Sequence, residues 1–384
     1  MLDIQLLKDE FIHRYGSGEV ECYFSPGRVN LIGEHIDYNG GLVLPATISL
    51  GISAVVRRRD DAIVRIYAKA YEQEVSIHIA ELNPSEKENY AGHWSAYIAA
   101  TIKVLLDNGE DINGADILIG SDLPLGSGLS SSAALECLMA YLFNEHYYRQ
   151  NRVSLALDAQ RAEREYVGVQ CGIMDQFAVA NGKRNNAILL NCATLEFEYI
   201  PADFKDYQLV IINSNKQRAL AESKYNERRK ECEDAFAFLR TIDPAQDLCH
   251  VHEISLSSLE DDILYKRAKH AVLENKRVEY AVHCLKQGAI EAFGQLLTES
   301  HRSLDADYDV SGKELNTIVH YSTHFEGCIG ARMTGAGFGG CCIALVEKDK
   351  VNRFVVYVGK KYTEKTGLTA SFYFTDIVDG VGKQ

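Results

Sequence analysis

Apolar and polar positions follow two different periods along this chain, and the changes of period divide it into elements. The opening stretch MLDIQLLKDEFIHRYG carries apolar Leu2, Leu6, Leu7 and Phe11 among Lys8, Asp9, Glu10 and Arg14. That pattern predicts an amphipathic helix, and the charges exclude a signal-peptide core. SAVVRRR, AIVRIYA and EVSIHIA carry β-branched residues in partial alternation and predict antiparallel strands. Tyr97, Ile98, Ile102, Leu105 and Leu106 return to helical spacing between Trp94 and Leu106, and Asn108-Gly109 ends the run. ADILIG predicts a strand, followed across a glycine-serine turn by a helix from about Ser132 to Tyr147. A helix from Ser154 to Val167, the segment CGIMDQFAVANG and strands around Leu189 and Phe197 complete a mixed α+β first half.

The second half opens with strand YQLVIINSN and a charged helix from Ala219 to Leu239, followed by several helices up to Phe325. It closes with strand CIGARMT, the turn GAGFGG, strand CCIALV, a helix from Lys350 to about Thr366 and strand SFYFTDIV. With the intervening helices treated as an insertion, the order is βα, ββ, αβ, the split βαβ pattern of ferredoxin-like folds. The boundary is expected between Ile200 and Tyr207, near Pro201, giving domains of 1–203 and 204–384. No internal repeat or low-complexity tract interrupts either half.

Length and composition agree with two cores: 384 residues, 46% of them hydrophobic. The net charge of −14 repels nucleic acid and anionic membrane surfaces, and no basic stripe overrides it. No apolar run approaches bilayer length, so a cytoplasmic protein is expected, with partners among small molecules. Ten cysteines are scattered without a CxxC pair, which points to reduced thiols. Cys341 and Cys342 alternate sides of a strand and cannot share one metal, and Cys249, His250 and His252 lack a second ligand pair and read as a surface loop.

Three stretches carry candidate chemistry. GRVNLIGEHIDYNGG, Gly27 to Gly41, concentrates Arg28, Asn30, Glu34, His35, Asp37 and Asn39 in one loop. Carboxylates suit vicinal diols because each accepts several hydrogen bonds, and an imidazole donates or accepts according to tautomer. In DLPLGSGLSSSAALE, a strand runs through Pro124 into glycines that tolerate close approach, and serines then meet the start of an apolar helix. Free N–H groups and the helix dipole favour an anion there. No lysine follows these glycines, so this is not a Walker loop. GARMTGAGFGGCCIALV places Gly330, Gly335, Gly337, Gly339 and Gly340 between two strands, more glycine than a hairpin requires.

Together these stretches, in this order, resemble the three motifs of the GHMP small-molecule kinases, and the first resembles the galactokinase signature; CGIMDQF, SKYNERR and ESHRSLDADYDVS extend the similarity. The resemblance implies a two-domain α+β fold, an N-terminal half like ribosomal protein S5 domain 2 and a ferredoxin-like C-terminal half, with the active site in the cleft. It implies ATP-dependent phosphorylation of the anomeric hydroxyl of D-galactose. Asp175 falls on the family's catalytic aspartate and Arg28 on the arginine facing it. Glu34, His35, Ile36, Asp37, Gly172 and Tyr225 fall at the sugar. Gly126, Ser127, Gly128, Leu129, Ser130, Ser131 and Ser132 fall at the nucleotide, and Gly335 and Gly337 belong to a supporting glycine loop. Ser132 and Glu163 match the ligands of Mg2+, while Glu165, two positions on, points elsewhere along a helix.

One departure concerns the base. Many relatives carry a serine near the adenine where this chain has Ala68, so the adenine contacts stay undefined. Asp175 is open to two roles, a base toward the C1 hydroxyl or a group that mainly orients it. A kinase for another hexose such as N-acetylgalactosamine, or a non-catalytic sensor of galactose and ATP, remain as alternatives. Retention of Arg28, Asp175, Ser132 and Glu163 argues for chemistry.

Overall fold

A computed structural model describes residues 3–82, 93–124, 126–216 and 221–384. Leu2, Leu125 of the serine-rich loop and the first two positions of the helix expected from Ala219 lie outside the described residues. Helix α1 (Ile4–Tyr15) starts at Asp3, whose carboxylate accepts from the N–H groups of Gln5 and Leu6, and stops at Gly16 with φ 86°. Leu7 and Phe11 are buried, whereas Leu6 faces solvent.

The first half continues with β1 (Glu21–Asn30), β2 (Leu42–Val43), β3 (Pro45–Arg58), β4 (Ile63–Ala68), β5 (Gln73–His78), α2 (Ser95–Asp107) and β6 (Ala115–Ser121). Then come α3 (Ser131–Phe143), α4 (Glu145–Tyr148), α5 (Arg152–Arg161), α6 (Met174–Asn181), β7 (Asn186–Asn191) and β8 (Phe197–Pro201). The second half holds β9 (Tyr207–Asn213), α7 (Ala221–Leu239), α8 (Asp262–Gln287), α9 (Ile290–Ala306), α10 (Gly312–Thr323), β10 (Cys328–Thr334), β11 (Cys341–Glu347), α11 (Val351–Thr366), β12 (Ser371–Phe374) and β13 (Gly382–Lys383).

Three sheets result, ordered β13-β1-β3-β6-β4-β5, β10-β11-β9-β12 and β2-β7-β8. In the second, the four strands lie in the ferredoxin-like order and every pairing is antiparallel. In the first, β4 and β5 pair antiparallel as expected, but β4 also lies parallel to β6. One contiguous apolar core runs through both halves, from Tyr23 on β1 to Val381 beside β13.

Several expectations change at their edges. The loop expected from Gly27 begins inside β1, because residues 28–30 pair with β3. The helix expected over 132–147 breaks at Asn144, which leaves helical geometry at φ −138°, ψ 51°. The helix expected over 154–167 starts at Arg152 and widens into a π-helical turn over Ala162–Val167. The strand read in SFYFTDIV ends at Phe374; beyond it, Ile377 bridges Ile48 and the chain adds β13 to the outer edge of β1. Cys249, read in a surface loop, is buried and lies close against Gly41, while His250 and His252 are exposed. The end of β1, the N-termini of α3 and α6, the π-helical turn, α7 and the glycine loop after β10 converge on one seam.

Candidate active site

The pairing of β1 with β3 slips between Pro26 and Arg28, a bulge that re-aims the Arg28 side chain. Gly27 is required beside it, because a Cβ there would stand 2.7 Å from the Leu129 carbonyl. Arg28 grips Asp175 with both arms of its fork: Nε donates to Oδ1 at 2.8 Å and Nη2 to Oδ2 at 2.7 Å. Its Nη1 donates to the Gly128 carbonyl at 2.8 Å, tying the pair to the serine-rich loop. Ser130 sits at the N-cap of α3 in left-handed geometry, φ 62°, and makes no capping bond. Its hydroxyl donates instead to Asp175 Oδ2 at 2.5 Å. Among the described residues, three of the four acceptor positions that a carboxylate offers on Asp175 are thereby filled. The fourth, on Oδ1, is left for a ligand.

A cavity of about 660 Å³ surrounds this end of α3, lined by Arg28, Gly126, Gly128, Ser130, Ser131, Ser132, Asp175, Asn213, Asn215 and Lys216 among others. Ser127 and Leu129 are buried, so their side chains turn inward and only their backbone belongs to the loop's outer face. The free N–H groups of the α3 entrance make this an anion cradle. Lys216 adds a cation that the sequence motifs did not single out; its ammonium pairs with Glu314 at 2.7 Å. A second cavity of about 540 Å³ meets the first at Ser131 and Ser132, walled by Ala68, Tyr71, Trp94, Tyr97, Ile119 and Leu135 among others. The Tyr71 and Trp94 rings there are parallel within 3°, with centroids 5.8 Å apart.

On the other side of Asp175 lies a cavity of about 320 Å³ that brings together Glu34, His35, Asp37, Gly172 and Tyr225. Glu34 is buried; its Oε1 accepts from the Gly335 N–H at 2.8 Å and its Oε2 from Asn30 Nδ2 at 2.7 Å. Both ring nitrogens of His35 are engaged by the protein. Nε2 donates to the Ala336 carbonyl at 3.1 Å, so Nδ1 accepts from the Tyr38 hydroxyl at 2.8 Å. The order continues: the Tyr308 hydroxyl donates to Tyr38 at 2.9 Å, and the Cys232 thiol donates to Tyr308 at 2.9 Å. Burial holds His35 neutral, down to about 3. Asp37 is pushed up to about 7, first by burial and then by the Asp175 charge. Gly172 is pressed against it, leaving no room for a Cβ beside the Asp37 carboxylate. The Tyr225 ring closes the wall, 5.6 Å from His35 and 5.4 Å from Tyr38. Ile36 is placed differently: fully buried in the core, it lies behind the loop rather than on the cavity wall.

Glu163 reaches the same cavity by continuing the face of α5 that buries Leu155, Ala156 and Ala159 into the π-helical turn. It is buried, and Gln176 Nε2 donates to its Oε2 at 2.6 Å. Burial and then the charge of Asp175 push it up to about 7. Gln176 also donates from Nε2 to the fully buried Glu136 at 3.1 Å. Neither Gln176 nor Glu136 was singled out by the sequence motifs, although both stand inside them. Glu165 is exposed and paired with Arg161 at 2.9 Å, away from the cavity. Gly335, at φ 82°, is on the cavity wall; Gly337, at φ 79°, packs where a Cβ would strike the Val310 carbonyl.

Two α+β halves, an anion cradle at a helix entrance and a carboxylate-rich pocket sharing one arginine-aspartate pair define a small-molecule kinase of the GHMP type. Residues 96–183 match the GHMP kinases N terminal domain and residues 281–364 the GHMP kinases C terminal domain. Residues 9–58 match the galactokinase galactose-binding signature. The chain belongs to the galactokinase family. It is 46% identical to the galactokinase of Exiguobacterium sibiricum, over 98% of this chain and 97% of that one. It is 45% identical to the galactokinase of Clostridium tetani, over 99% of this chain and 97% of that one. The crystal structure of Lactococcus lactis galactokinase complexed with galactose superposes with a TM-score of 0.92 at 40% identity, covering 99% of this chain and all of that one, 100%. The mevalonate kinase of Methanococcus jannaschii shares the fold, with a TM-score of 0.69 at 20% identity over 95% of this chain and 100% of that one.

Proposed function

We propose that this enzyme transfers the γ-phosphoryl group of ATP to the C1 hydroxyl of D-galactose, giving galactose 1-phosphate and ADP. One observation carries the reading: Arg28, Ser132 and Asp175 line both the anion cradle and the carboxylate pocket, so the two cavities meet at the arginine-aspartate pair. Ser132 also borders the aromatic cavity, which is suited to a base lying at the far end of a triphosphate. A nucleotide laid along this path ends its γ-phosphate at Asp175, with a sugar on the other side.

The open acceptor on Asp175 Oδ1 receives the C1 hydroxyl and aims its oxygen in line with phosphorus. Asp175 takes the hydroxyl proton as the new P–O bond forms, late in a loose transition state, while the bond to the ADP oxygen breaks. Arg28 stays on the carboxylate and offers positive charge where the transferring oxygens gather it. Glu34 and Asp37 accept sugar hydroxyls, His35 holds the loop through its two ring bonds, and Tyr225 covers an apolar sugar face. The nucleotide contacts come from Gly126, Gly128, Ser130, Ser131 and Ser132, with the backbone of Ser127 and Leu129, and Gly335 supports Glu34.

Mg2+ fits the residues present. Glu163 is a buried carboxylate whose ionisation is opposed by burial and by Asp175, so a cation beside it would relieve both. Ser132 is within its hydrogen-bonding reach. Among the described residues no cluster of three or more His, Cys, Asp or Glu is arranged to hold a metal by itself, which suits an ion that takes its remaining ligands from phosphate and water. Glu163 and Ser132 would hold it, and it supplies charge neutralisation on the phosphates. A cytoplasmic location belongs to the same reading: all ten cysteines are free thiols, and no helix among the described residues is long and apolar enough to cross a membrane.

The test is ADP release by purified protein with Mg-ATP and galactose, with N-acetylgalactosamine and glucose as rival acceptors. Asp175→Asn is expected to lower kcat by roughly a hundredfold or more while galactose still binds. Binding of both ligands without ADP release would mark a sensor instead.

A further inference from the structure

Strand β10 carries one arginine wholly inside the protein. Arg332 Nη1 meets Glu34 Oε2 at 2.5 Å and donates to the carbonyls of Leu31 at 2.9 Å and Asn30 at 3.4 Å. Its Nη2 lies 3.9 Å from Oε1 of the fully buried Glu274 on α8. Glu274 accepts in turn from the Gly33 N–H at 3.0 Å and the Ser300 hydroxyl at 2.5 Å, and pairs with Arg277 at 2.6 Å. A chain of alternating charge therefore runs Glu34, Arg332, Glu274, Arg277. On the same face of α8, His270 Nε2 donates to the Glu34 carbonyl at 3.1 Å, and Asn275 Oδ1 accepts from the Leu42 N–H at 2.8 Å. The loop from Gly33 to Leu42 is thus held by two elements of the other half.

The hydrogen-bond capacity of Glu34 limits what it can offer. Oε2 accepts from Asn30 and is crowded by the Arg332 guanidinium, whose Nη1 stands 2.5 Å away, and Oε1 accepts from Gly335. The Thr334 hydroxyl stands 3.2 Å from Oε1 and 3.1 Å from the Asn30 carbonyl, but it has one proton. When Thr334 donates to Asn30, Oε1 keeps one acceptor position for one ligand hydroxyl. Burial raises the Glu34 carboxyl, and the Arg332 charge is the largest influence opposing that rise.

We propose that Arg332, backed by Glu274, is a positioning unit that fixes Glu34 so that it offers one acceptor to one galactose hydroxyl, setting sugar affinity and selectivity without touching the sugar. The inference rests on the galactokinase reading above. Arg332→Gln and Glu274→Gln are compared with the unaltered enzyme on galactose and on its 2-, 3-, 4- and 6-deoxy analogues. The expected result is a KM for galactose raised roughly tenfold in Arg332→Gln and less in Glu274→Gln, with kcat and the KM for ATP changed by less than about threefold. The penalty shrinks on a single deoxy analogue, the same one whose handicap Glu34→Gln removes. Arg332→Lys recovers part of the affinity. Should Arg332→Gln fail to fold, Glu274→Gln carries the same deoxy-sugar comparison. Penalties equal on every sugar, or falling on kcat and ATP alike, overturn the positioning role while galactose turnover by the unaltered enzyme leaves the parent reading standing; absence of that turnover overturns the parent reading and, with it, this one.

Discussion

Gly172 and Asp37 show how narrowly one residue sets another. The backbone at Gly172 has an ordinary φ, so the demand is for space alone: a methyl group there would occupy the position of Asp37 Oδ2. Gly172→Ala is expected to raise the KM for galactose by roughly tenfold or more with a smaller change in the KM for ATP, since only the sugar wall moves; steady-state kinetics check it. Asp37 also predicts a pH dependence. Its folded pKa is raised to about 7, so it is neutral below that value and ionised above it. Two-hydroxyl acceptance needs the ionised form, so the KM for galactose should fall as pH rises through about 7, and Asp37→Asn should flatten that profile at a uniformly high KM. Arg28, Glu34, Asp37, Gly172 and Asp175 were all legible as motif residues. Arg332 was not, because it reads as a strand residue until its partner, Asn30, 302 positions earlier, is placed against it. Ser130 was legible as a residue of the nucleotide loop, but only the fold reveals the aspartate to which its hydroxyl donates.

At the scale of elements, periodicity located most helices and strands but missed β1, β2 and β13 and left α8 to α10 as an undivided helical stretch. The π-helical turn after α5 has no apolar signature of its own, whereas the burial of Glu163 and the exposure of Glu165 follow the ordinary helical spacing from Ala159. The packing of α9 on β10 was equally silent, since glycines in a strand and a helix read as weak positions. Gly294 and Gly330 allow the two backbones to touch, and a Cβ on Gly330 would run into the Gly294 backbone. Gly330→Ala is expected to cost about 3 kcal/mol, the upper end for overpacking, because no side chain can yield there. Thermal melting should show a Tm several degrees lower, with the KM values of the surviving folded enzyme little changed.

On the scale of the whole molecule, the order βα, ββ, αβ was enough to anticipate the second sheet, because local alternation and connection length restrict its topology. The return of the chain to the first sheet was hidden. Residues past Asp376 bond back to the first half: Val378 N–H to the Thr47 carbonyl of β3 at 3.3 Å, Val381 N–H to the Val179 carbonyl of α6 at 2.9 Å and Gln384 N–H to the Cys22 carbonyl of β1 at 2.8 Å. The boundary proposed at 203/204 therefore separates strands that share a sheet. Residues 1–203 and 204–384 produced as separate chains are expected not to bind galactose singly by calorimetry, since the sugar loop lacks α8 and β10 in one and is missing from the other. The same closure has a bearing on biosynthesis. A ribosome must make β9 to β12 before the segment that seals the outer edge of β1 emerges, so the nascent first sheet waits with an open border. Emergence of β13 is then the event that completes a sheet whose first strand was made long before it.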